Sequence, residues 1–262
     1  MMLKDKVAVI YGAGGAIGGA VARAFAREGA KLFLTGRHLA PVEAVAKDIV
    51  SAGGSAEAAE VDALDEQAVD KHLQSVTDQA ARVDISFNAI GIPNPKIRVP
   101  LVELDVEQFS LPITTLATSY FLTARLAARR MIANKSGVIM TVTALRSRTG
   151  IPLVGGYGPA QAAKEALTRD LSAELAPQGI RVVGLRPYAM PETSTIKDAF
   201  EPRAKASGMT WEQWQEMLAS RTHARRLMTL EEMANMAVFM ASDKASGMTG
   251  TTVNLTMGRL DD

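Results

Sequence analysis

A cluster of glycines near the start of the chain could bind phosphate groups. Gly12, Gly14, Gly15 and Gly18 follow a short β-branched run and open an alanine-rich stretch with helical spacing. Glycines allow a tight turn and close approach of the backbone to a pyrophosphate, and the N-terminus of the next helix offers unpaired N–H groups. This strand-glycine-helix context predicts a dinucleotide site, whereas the alternative interpretation is a glycine turn without a ligand.

A tyrosine and a lysine later in the chain could perform proton transfer. Tyr157 and Lys164 are seven residues apart, which is about two helical turns, so on a helix they share one face with Gln161. A tyrosine can protonate a developing alkoxide when a nearby cation lowers its pKa from about 10. The alternative is that both are ordinary helix residues in a scaffold that binds a nucleotide and catalyses nothing.

A frame of alternating strands and helices must position these residues. Short apolar runs alternate with longer amphipathic stretches, which predicts a doubly wound α/β fold with a mostly parallel sheet. No repeat or linker interrupts residues 1–262, so we expect a single domain. The predicted strands are 6–11, 31–35, 56–61, 85–89, 137–143, 181–185 and 251–255, and the predicted helices are 17–28, 40–52, 66–82, 104–134 with a break near Pro112, 159–175 and 230–242.

Composition and charge exclude several classes of protein. Of the 262 residues, 47% are hydrophobic and 22% are charged, which excludes disorder for most of the chain. The absence of cysteine excludes a thiolate nucleophile, and His38, His72 and His223 lack metal-ligand spacing, so no metal is expected. With a net charge of +1 and no apolar span, we expect a soluble, cytoplasmic protein that binds neither nucleic acid nor a membrane.

Residues 188–228 interrupt the alternation. The segment contains Trp211 and Trp214, with Met209, Met217 and Leu218 at roughly helical spacing. An insertion after the carboxyl end of a strand lies where open α/β sheets bind ligands. We therefore predict a helical substrate lid whose tryptophans form an apolar pocket, and the alternative is a helical pair that packs its apolar face on the core.

Several motifs together resemble those of the short-chain dehydrogenase/reductase family, over nearly the whole chain. The glycine turn at 11–18 is similar to the family's Thr-Gly-x-x-x-Gly-x-Gly, with tyrosine in place of threonine and alanine in place of the middle glycine. Residues 88–91 are similar to its Asn-Ala-Gly motif, and 61–63 to the strand end whose aspartate contacts adenine. The segments 175–182 and 239–243 are also similar in sequence to the corresponding segments of the family.

The resemblance implies a Rossmann-type sheet with strand order 3-2-1-4-5-6-7, a nicotinamide cofactor, a small-molecule substrate and a homotetramer. Carried over position by position, it implies a set of residues that contact the cofactor. These residues are Gly12, Gly14, Gly15, Ile17, Arg37, Asp62, Ala63, Asn88, Ala89, Gly91, Tyr157, Lys164 and Pro187.

The catalytic positions depart from the family pattern, which uses Tyr-x-x-x-Lys, a serine on strand five and an asparagine in the preceding long helix. Aligned on Tyr157, the lysine position holds Gln161, the serine position Ala144 beside Thr143, and the asparagine position Leu116. Tyr-x6-Lys is the spacing of the enoyl-acyl-carrier-protein reductase branch, although there the tyrosine is the residue that moves. The resemblance implies Tyr157 as proton donor, with Lys164 supplying charge and ribose contacts and Gln161 as a further ribose ligand.

The end of the second predicted strand bears on cofactor choice. An NAD site usually places an acid there, to bond the ribose hydroxyls. This chain has Gly36 followed by Arg37, and a guanidinium can pair with a 2′-phosphate through two hydrogen bonds. The sequence therefore predicts NADP(H) in preference to NAD(H), and a solvated surface arginine is the alternative.

Three functions remain open on the sequence. The first is NADP(H)-dependent reduction of a carbonyl or enoyl group on a small to medium apolar substrate, with Tyr157 as the acid. The second is a catalytically silent nucleotide-binding protein, which the trio Leu116, Ala144 and Gln161 favours. The third is an enoyl-thioester reductase, which the Tyr157 to Lys164 spacing favours.

Overall fold

The computed structural model describes residues 1–92 and 99–261, apart from the side chains of residues 194 and 195. Its centre is a seven-stranded sheet in the order β3-β2-β1-β4-β5-β6-β7, in which all neighbouring strands are parallel. The predicted doubly wound fold and strand order are confirmed. The strands are β1 (Val7–Tyr11), β2 (Lys31–Gly36), β3 (Ser55–Glu60), β4 (Ile85–Asn88), β5 (Gly137–Val142), β6 (Ile180–Pro187) and β7 (Thr251–Leu255).

The central strands are apolar because helices cover both of their faces. Every residue of β1 is buried, and so is every residue of β4. β3 lies at one edge and has alternating exposed residues. This is the pattern expected of a parallel sheet whose inner strands contact helices on both sides.

Nine α-helices surround the sheet within the described residues. They are α1 (Ala16–Arg27), α2 (Leu39–Ser51), α3 (Glu66–Ala80), α4 (Val106–Ile113), α5 (Ser119–Asn134), α6 (Tyr157–Leu175), α7 (Ser194–Ala206), α8 (Trp211–Ala219) and α9 (Leu230–Ala241). Buried side chains of α1, α2 and α9 form the core on one face of the sheet, and those of α3, α5 and α6 form the core on the other.

The stretch predicted to be helical over 104–134 is helical from residue 106 to residue 134, and a wider helical turn takes the place of the break expected near Pro112. α4 includes Pro112, and a π-helical turn (Thr114–Thr118) joins it to α5. Proline has no N–H and its ring meets the carbonyl of the fourth residue before it, which disturbs the regular ladder. The wider turn follows directly and carries Leu116, whose side chain is buried.

The remaining differences from the predicted boundaries are at element ends. α6 begins at Tyr157, two residues before the predicted start, and Pro159 lies in its first turn, where the missing N–H costs no hydrogen bond. Residues 188–228 contain the two helices α7 and α8, joined to the sheet through the end of β6. No described helix is both long enough and apolar enough to cross a membrane.

Candidate active site

Two adjacent cavities lie at the carboxyl ends of the strands. The outer groove, of about 350 Å³, lies over the ends of β1, β2 and β3. The inner cavity, of about 200 Å³, lies against the start of α6 and the end of β6. Gly15 and residues 89–92 line both, so the two spaces adjoin. They meet where the strand order reverses beside β1, the position at which open α/β sheets bind ligands.

The glycine turn lines both spaces, with Gly12 and Gly14 on the outer groove and Gly18 on the inner cavity. Gly12 has a φ of +77°, and a Cβ there would lie 2.9 Å from the carbonyl oxygen of Ala89. A Cβ on Gly18 would collide with the carbonyl oxygen of Gly12. α1 then begins after Gly15 with no side-chain cap and no acidic residue in its first turn. Its first N–H groups and the positive end of its dipole are therefore available to a phosphate.

The outer groove fits the rest of a dinucleotide. Asp62 and Ala63 line it at the end of β3, and the Asp62 carboxylate accepts a hydrogen bond from the Leu64 N–H at 3.0 Å. Gly36 and the exposed Arg37 line it at the end of β2. The residues present suit a phosphorylated, hydroxyl-rich ligand, because they combine donors, an acceptor and a backbone that approaches closely.

The inner cavity brings together the four positions at which the chain departs from or keeps the family pattern. Leu116, Ala144, Tyr157 and Gln161 all line it. Leu116 comes from the π-helical turn, Ala144 from the loop after β5, and the other two from the first turns of α6. The placement deduced from the order of motifs therefore corresponds to one site in space.

Tyr157 can serve as a proton donor at neutral pH. Burial raises the pKa of its hydroxyl, while a hydrogen bond from Gln161 and the positive charge of Arg146 lower the pKa only in part. The net direction is upward, so the phenol stays protonated. The Oε1 atom of Gln161 is buried without a hydrogen-bond partner, and it can accept a bond from a hydroxyl of a ligand in the cavity.

Lys164 is not brought into this cavity. Its side chain is 1% exposed, and Nζ donates to the carbonyl oxygen of Val142 at 2.6 Å and lies 5.9 Å from the centre of the Tyr120 ring. Burial lowers the pKa of this amine to about 7. It shares a helix face with Tyr157, but seven residues advance the helix by about 10 Å. The cation that acts on Tyr157 is instead Arg146, which the motif comparison missed.

A signal for Arg146 was present in the sequence, since it lies just after the fifth strand and charged residues at strand ends face the ligand crevice.

The hydroxyl of Thr143, beside Ala144, belongs to a separate buried network. It donates to Oε1 of Glu165 at 3.0 Å, and the same oxygen accepts from Ser147 at 2.6 Å and from Arg186 at 2.8 Å. This buried network, absent from the sequence prediction, ties the end of β6 to α6 and to the loop that carries Ala144.

Most of the residues expected to contact the cofactor line the two cavities. The exceptions are Lys164 and Asn88, whose side-chain amide donates to the Thr123 hydroxyl at 3.1 Å and accepts from the Ile90 N–H at 3.4 Å. Asn88 therefore supports the loop whose backbone lines the cavities. Those that line them are Gly12, Gly14, Gly15, Ile17, Arg37, Asp62, Ala63, Ala89, Gly91, Tyr157 and Pro187.

The two tryptophans of residues 188–228, which were expected to form an apolar pocket, do not line the inner cavity. Trp211 and Trp214 pack on a hydrophobic cluster that includes Phe200, with the rings of Phe200 and Trp214 centred 6.3 Å apart, and Met209 is 36% exposed. None of Trp211, Trp214, Met209 and Met217 lines the inner cavity, and α8 packs against α7. Tyr188 belongs to both the cluster and the cavity wall, and Met190, Thr193 and Ile196 complete that wall.

The chain as a whole is similar to known proteins. A family described as enoyl-(acyl carrier protein) reductase matches residues 12–259. The chain is 28% identical over 262 residues to a 7alpha-hydroxysteroid dehydrogenase of Escherichia coli, covering 100% of this chain and 97% of that protein.

Solved structures share the fold as well. A short-chain type dehydrogenase/reductase from Mycobacterium marinum is similar with a TM-score of 0.86 and 29% identity, covering 98% of this chain and 96% of the other. An NAD⁺-bound xylitol dehydrogenase is similar with a TM-score of 0.89 and 27% identity, covering 98% and 99%.

Proposed function

The chain belongs to the short-chain dehydrogenase/reductase family, and we propose that it reduces a carbonyl group on a small to medium apolar substrate with NADP(H). Relatives in this family are dehydrogenases and reductases, and a solved relative carries a nicotinamide nucleotide. One observation carries the proposal. Tyr157 lines a cavity that adjoins a groove suited to a dinucleotide.

The nicotinamide ring, when bound, supplies a hydride, that is, two electrons and a hydrogen nucleus. Tyr157 donates its phenolic proton to the carbonyl oxygen, so that a C=O bond becomes an alcohol, and the tyrosinate regains a proton from solvent. The amide of Gln161 lowers the pKa of the tyrosine hydroxyl and offers Oε1 to a ribose hydroxyl. The apolar walls at Leu116, Met190 and Ile196 exclude water from the reacting carbon.

Enoyl reduction is a second candidate, and a specific observation favours it. Leu116 and Ala144 leave the inner cavity without the two polar side chains that the family pattern places beside a reacting carbonyl oxygen. In reduction of a C=C bond conjugated to a thioester, the hydride adds to carbon and the requirement for those groups is smaller. The family match is described by this reaction.

The test is NADPH oxidation against a panel of ketones, aldehydes and enoyl thioesters, with Tyr157→Phe as the matched variant. We expect turnover that falls at least about 100-fold in Tyr157→Phe, because general acid catalysis contributes roughly that much, and unchanged NADPH binding. The active substrate class decides between carbonyl and enoyl reduction. NADPH binding without any turnover would instead support a silent nucleotide-binding protein.

The preference for NADP(H) rests on Arg37 and has a separate test. Removing a charged hydrogen bond weakens binding by about 10- to 100-fold. Arg37→Ala should therefore weaken NADPH binding by that factor and leave NADH binding unchanged, measured by fluorescence titration. Arg27→Ala is the control, because Arg27 is exposed at the opposite end of α1. Equal losses for both cofactors would contradict the preference. The homotetramer and the cytoplasmic location stay predictions.

A further inference from the structure

A buried carboxylate joins three chain segments beside the inner cavity. Glu165 of α6 is 3% exposed, and its Oε1 accepts hydrogen bonds from the hydroxyls of Thr143 and Ser147. Arg186 of β6 donates to both of its oxygens, at 2.8 and 2.9 Å. Thr143 follows β5, and Ser147 ends a short 3₁₀ turn (Leu145–Ser147). One side chain of α6 therefore holds segments that are distant in sequence.

The backbone pairing between β5 and β6 ends where the inner cavity begins. The Thr143 N–H donates to a carbonyl of β6 at 2.8 Å, but Pro187 has no N–H with which to extend the ladder. Side-chain hydrogen bonds from Thr143 and Arg186 to Glu165 hold the two strand ends together beyond that point. The next residues, Ala144 and Pro187, line the cavity, so the carboxylate fixes two parts of its wall.

The same carboxylate fixes the loop that carries Arg146. The Ser147 hydroxyl donates to Glu165 at 2.6 Å and to the carbonyl oxygen at the start of its own turn at 2.9 Å. This turn packs on the first turn of α6, because a Cβ on Gly158 would lie 3.2 Å from the carbonyl oxygen of Arg146. The charge of Arg146 lowers the pKa of Tyr157. The placement of that charge beside the tyrosine therefore depends on the bond from Ser147.

The carboxylate acts as a charged acceptor. Burial raises the pKa of Glu165, but hydrogen bonds from Arg186 and Ser147 bring the net shift below the ordinary value. A charged acceptor binds its donors about twice as strongly as a neutral one, so the three donors are held firmly. Neither Glu165 nor Arg186 lines the inner cavity, and the pair therefore acts on a substrate only through the residues that it holds.

We propose that Glu165 and Arg186 are positioning residues for the reaction at Tyr157, because their ion pair sets where residues 143–147 and the end of β6 lie relative to the tyrosine hydroxyl. The inference rests on the proposed function, since it concerns the same site. A misplacement of about 1 Å can lower a rate about 100-fold. The pair can therefore control the rate although it does not touch the substrate.

A double variant removes the pair without leaving a buried charge. Glu165→Leu combined with Arg186→Met replaces both ions by apolar side chains, and replacements of this kind often preserve or increase stability. We expect a urea midpoint at or above that of the parent and a kcat lowered about 10- to 100-fold. NADPH affinity should not change, because the hydrogen bonds to Glu165 involve no residue that lines the outer groove. An unchanged kcat in this stable variant overturns the proposal.

Ser147→Ala removes one bond and keeps the ion pair, and it serves alone if the double variant does not fold, as judged by circular dichroism. Loss of a hydrogen bond to a charged group should lower kcat about tenfold. It should also raise the pKa of Tyr157 in ultraviolet titration against a Tyr157→Phe background, because Arg146 is held less firmly. Ser51→Ala, exposed at the end of α2, is the control and should change neither quantity.

Arg186→Lys keeps the charge but loses the forked contact with both oxygens, so its kcat should lie between those of the parent and the double variant. A kcat that falls only in proportion to the urea midpoint across these variants would assign the network a purely structural role and overturn the proposal. An unchanged kcat in folded Ser147→Ala would do the same.

Titration of Tyr157 separates this inference from the proposed function, because it needs no turnover. If no compound is turned over but Ser147→Ala raises the pKa of Tyr157, the reductase is refuted and the positioning is kept. Turnover whose kcat the stable double variant leaves unchanged would refute the positioning and keep the reductase.

Discussion

Gln161→Lys tests the view that the missing charge at this position keeps Tyr157 protonated. In the parent protein, burial raises the pKa of Tyr157, and only a neutral amide and the charge of Arg146 oppose that rise. Gln161 is 4% exposed, and its amide lowers the pKa of the tyrosine hydroxyl. An ammonium introduced there would stabilise the tyrosinate, so the pKa of Tyr157 should fall.

The size of the effect follows from Coulomb's law. Two unit charges about 4 Å apart interact by about 4 kcal/mol at an effective dielectric constant of about 20. The open cavity and the cost of dehydrating the ammonium reduce this, to about 2 kcal/mol. That corresponds to a roughly thirtyfold larger fraction of tyrosinate at a pH below the pKa.

The assay is the pH dependence of kcat/KM in both directions, together with ultraviolet titration of tyrosinate against a Tyr157→Phe background. Reduction requires the protonated phenol, so its activity falls above the pKa, and that fall should move to lower pH. Oxidation requires the tyrosinate, so its rate near pH 8 should rise about 10- to 30-fold. Gln161→Met is the control and should raise the pKa of Tyr157. An unchanged tyrosinate titration in Gln161→Lys would refute this reasoning.

Three further predictions concern the frame that positions the site. Gly156→Ala places a Cβ on the carbonyl oxygen of Phe109, so it should lower the free energy of unfolding in urea by about 1–3 kcal/mol and lower kcat/KM. Gly150→Ala is the control, because its Cβ meets open space, and it should change neither quantity. Glu165→Gln leaves the 3% exposed Arg186 without its buried ion pair, and should cost about 3–5 kcal/mol. Burial alone would raise the pKa of Glu165, but the hydrogen bonds from Arg186 and Ser147 bring that pKa below its usual 4.5. The carboxylate therefore stabilises the fold above pH 4.5, and this contribution is lost as the pH falls through the folded-state pKa. The control is Glu174→Gln, which is exposed on the same helix and should keep the parent's dependence of stability on acid pH. Burial lowers the pKa of the Lys164 amine from 10.5 to about 7, and the unfolded chain still binds the proton between about pH 7 and 10.5, so the parent's stability should increase with pH over that range. In Lys164→Met this increase should disappear. The variant's kcat/KM should fall less than about tenfold, and a larger loss at unchanged stability would indicate that Lys164 reaches the reacting atoms.

The sequence determined the order of strands and helices and the place of the nucleotide groove. Runs such as the buried β1, the amphipathic stretches between them and the glycines after the first strand are local signals, because each is set by a few consecutive residues. The order of motifs also located the positions of Leu116, Ala144, Tyr157 and Gln161, which the fold brings to one cavity.

Only the tertiary structure decided which side chains face that cavity. Lys164 lies on the same helix face as Tyr157, but its Nζ donates a hydrogen bond to the carbonyl oxygen of Val142. Trp214 is a large aromatic residue suited to a pocket wall, but its ring packs on Phe200 of α7. Such contacts depend on how distant elements pack, and no local periodicity encodes them.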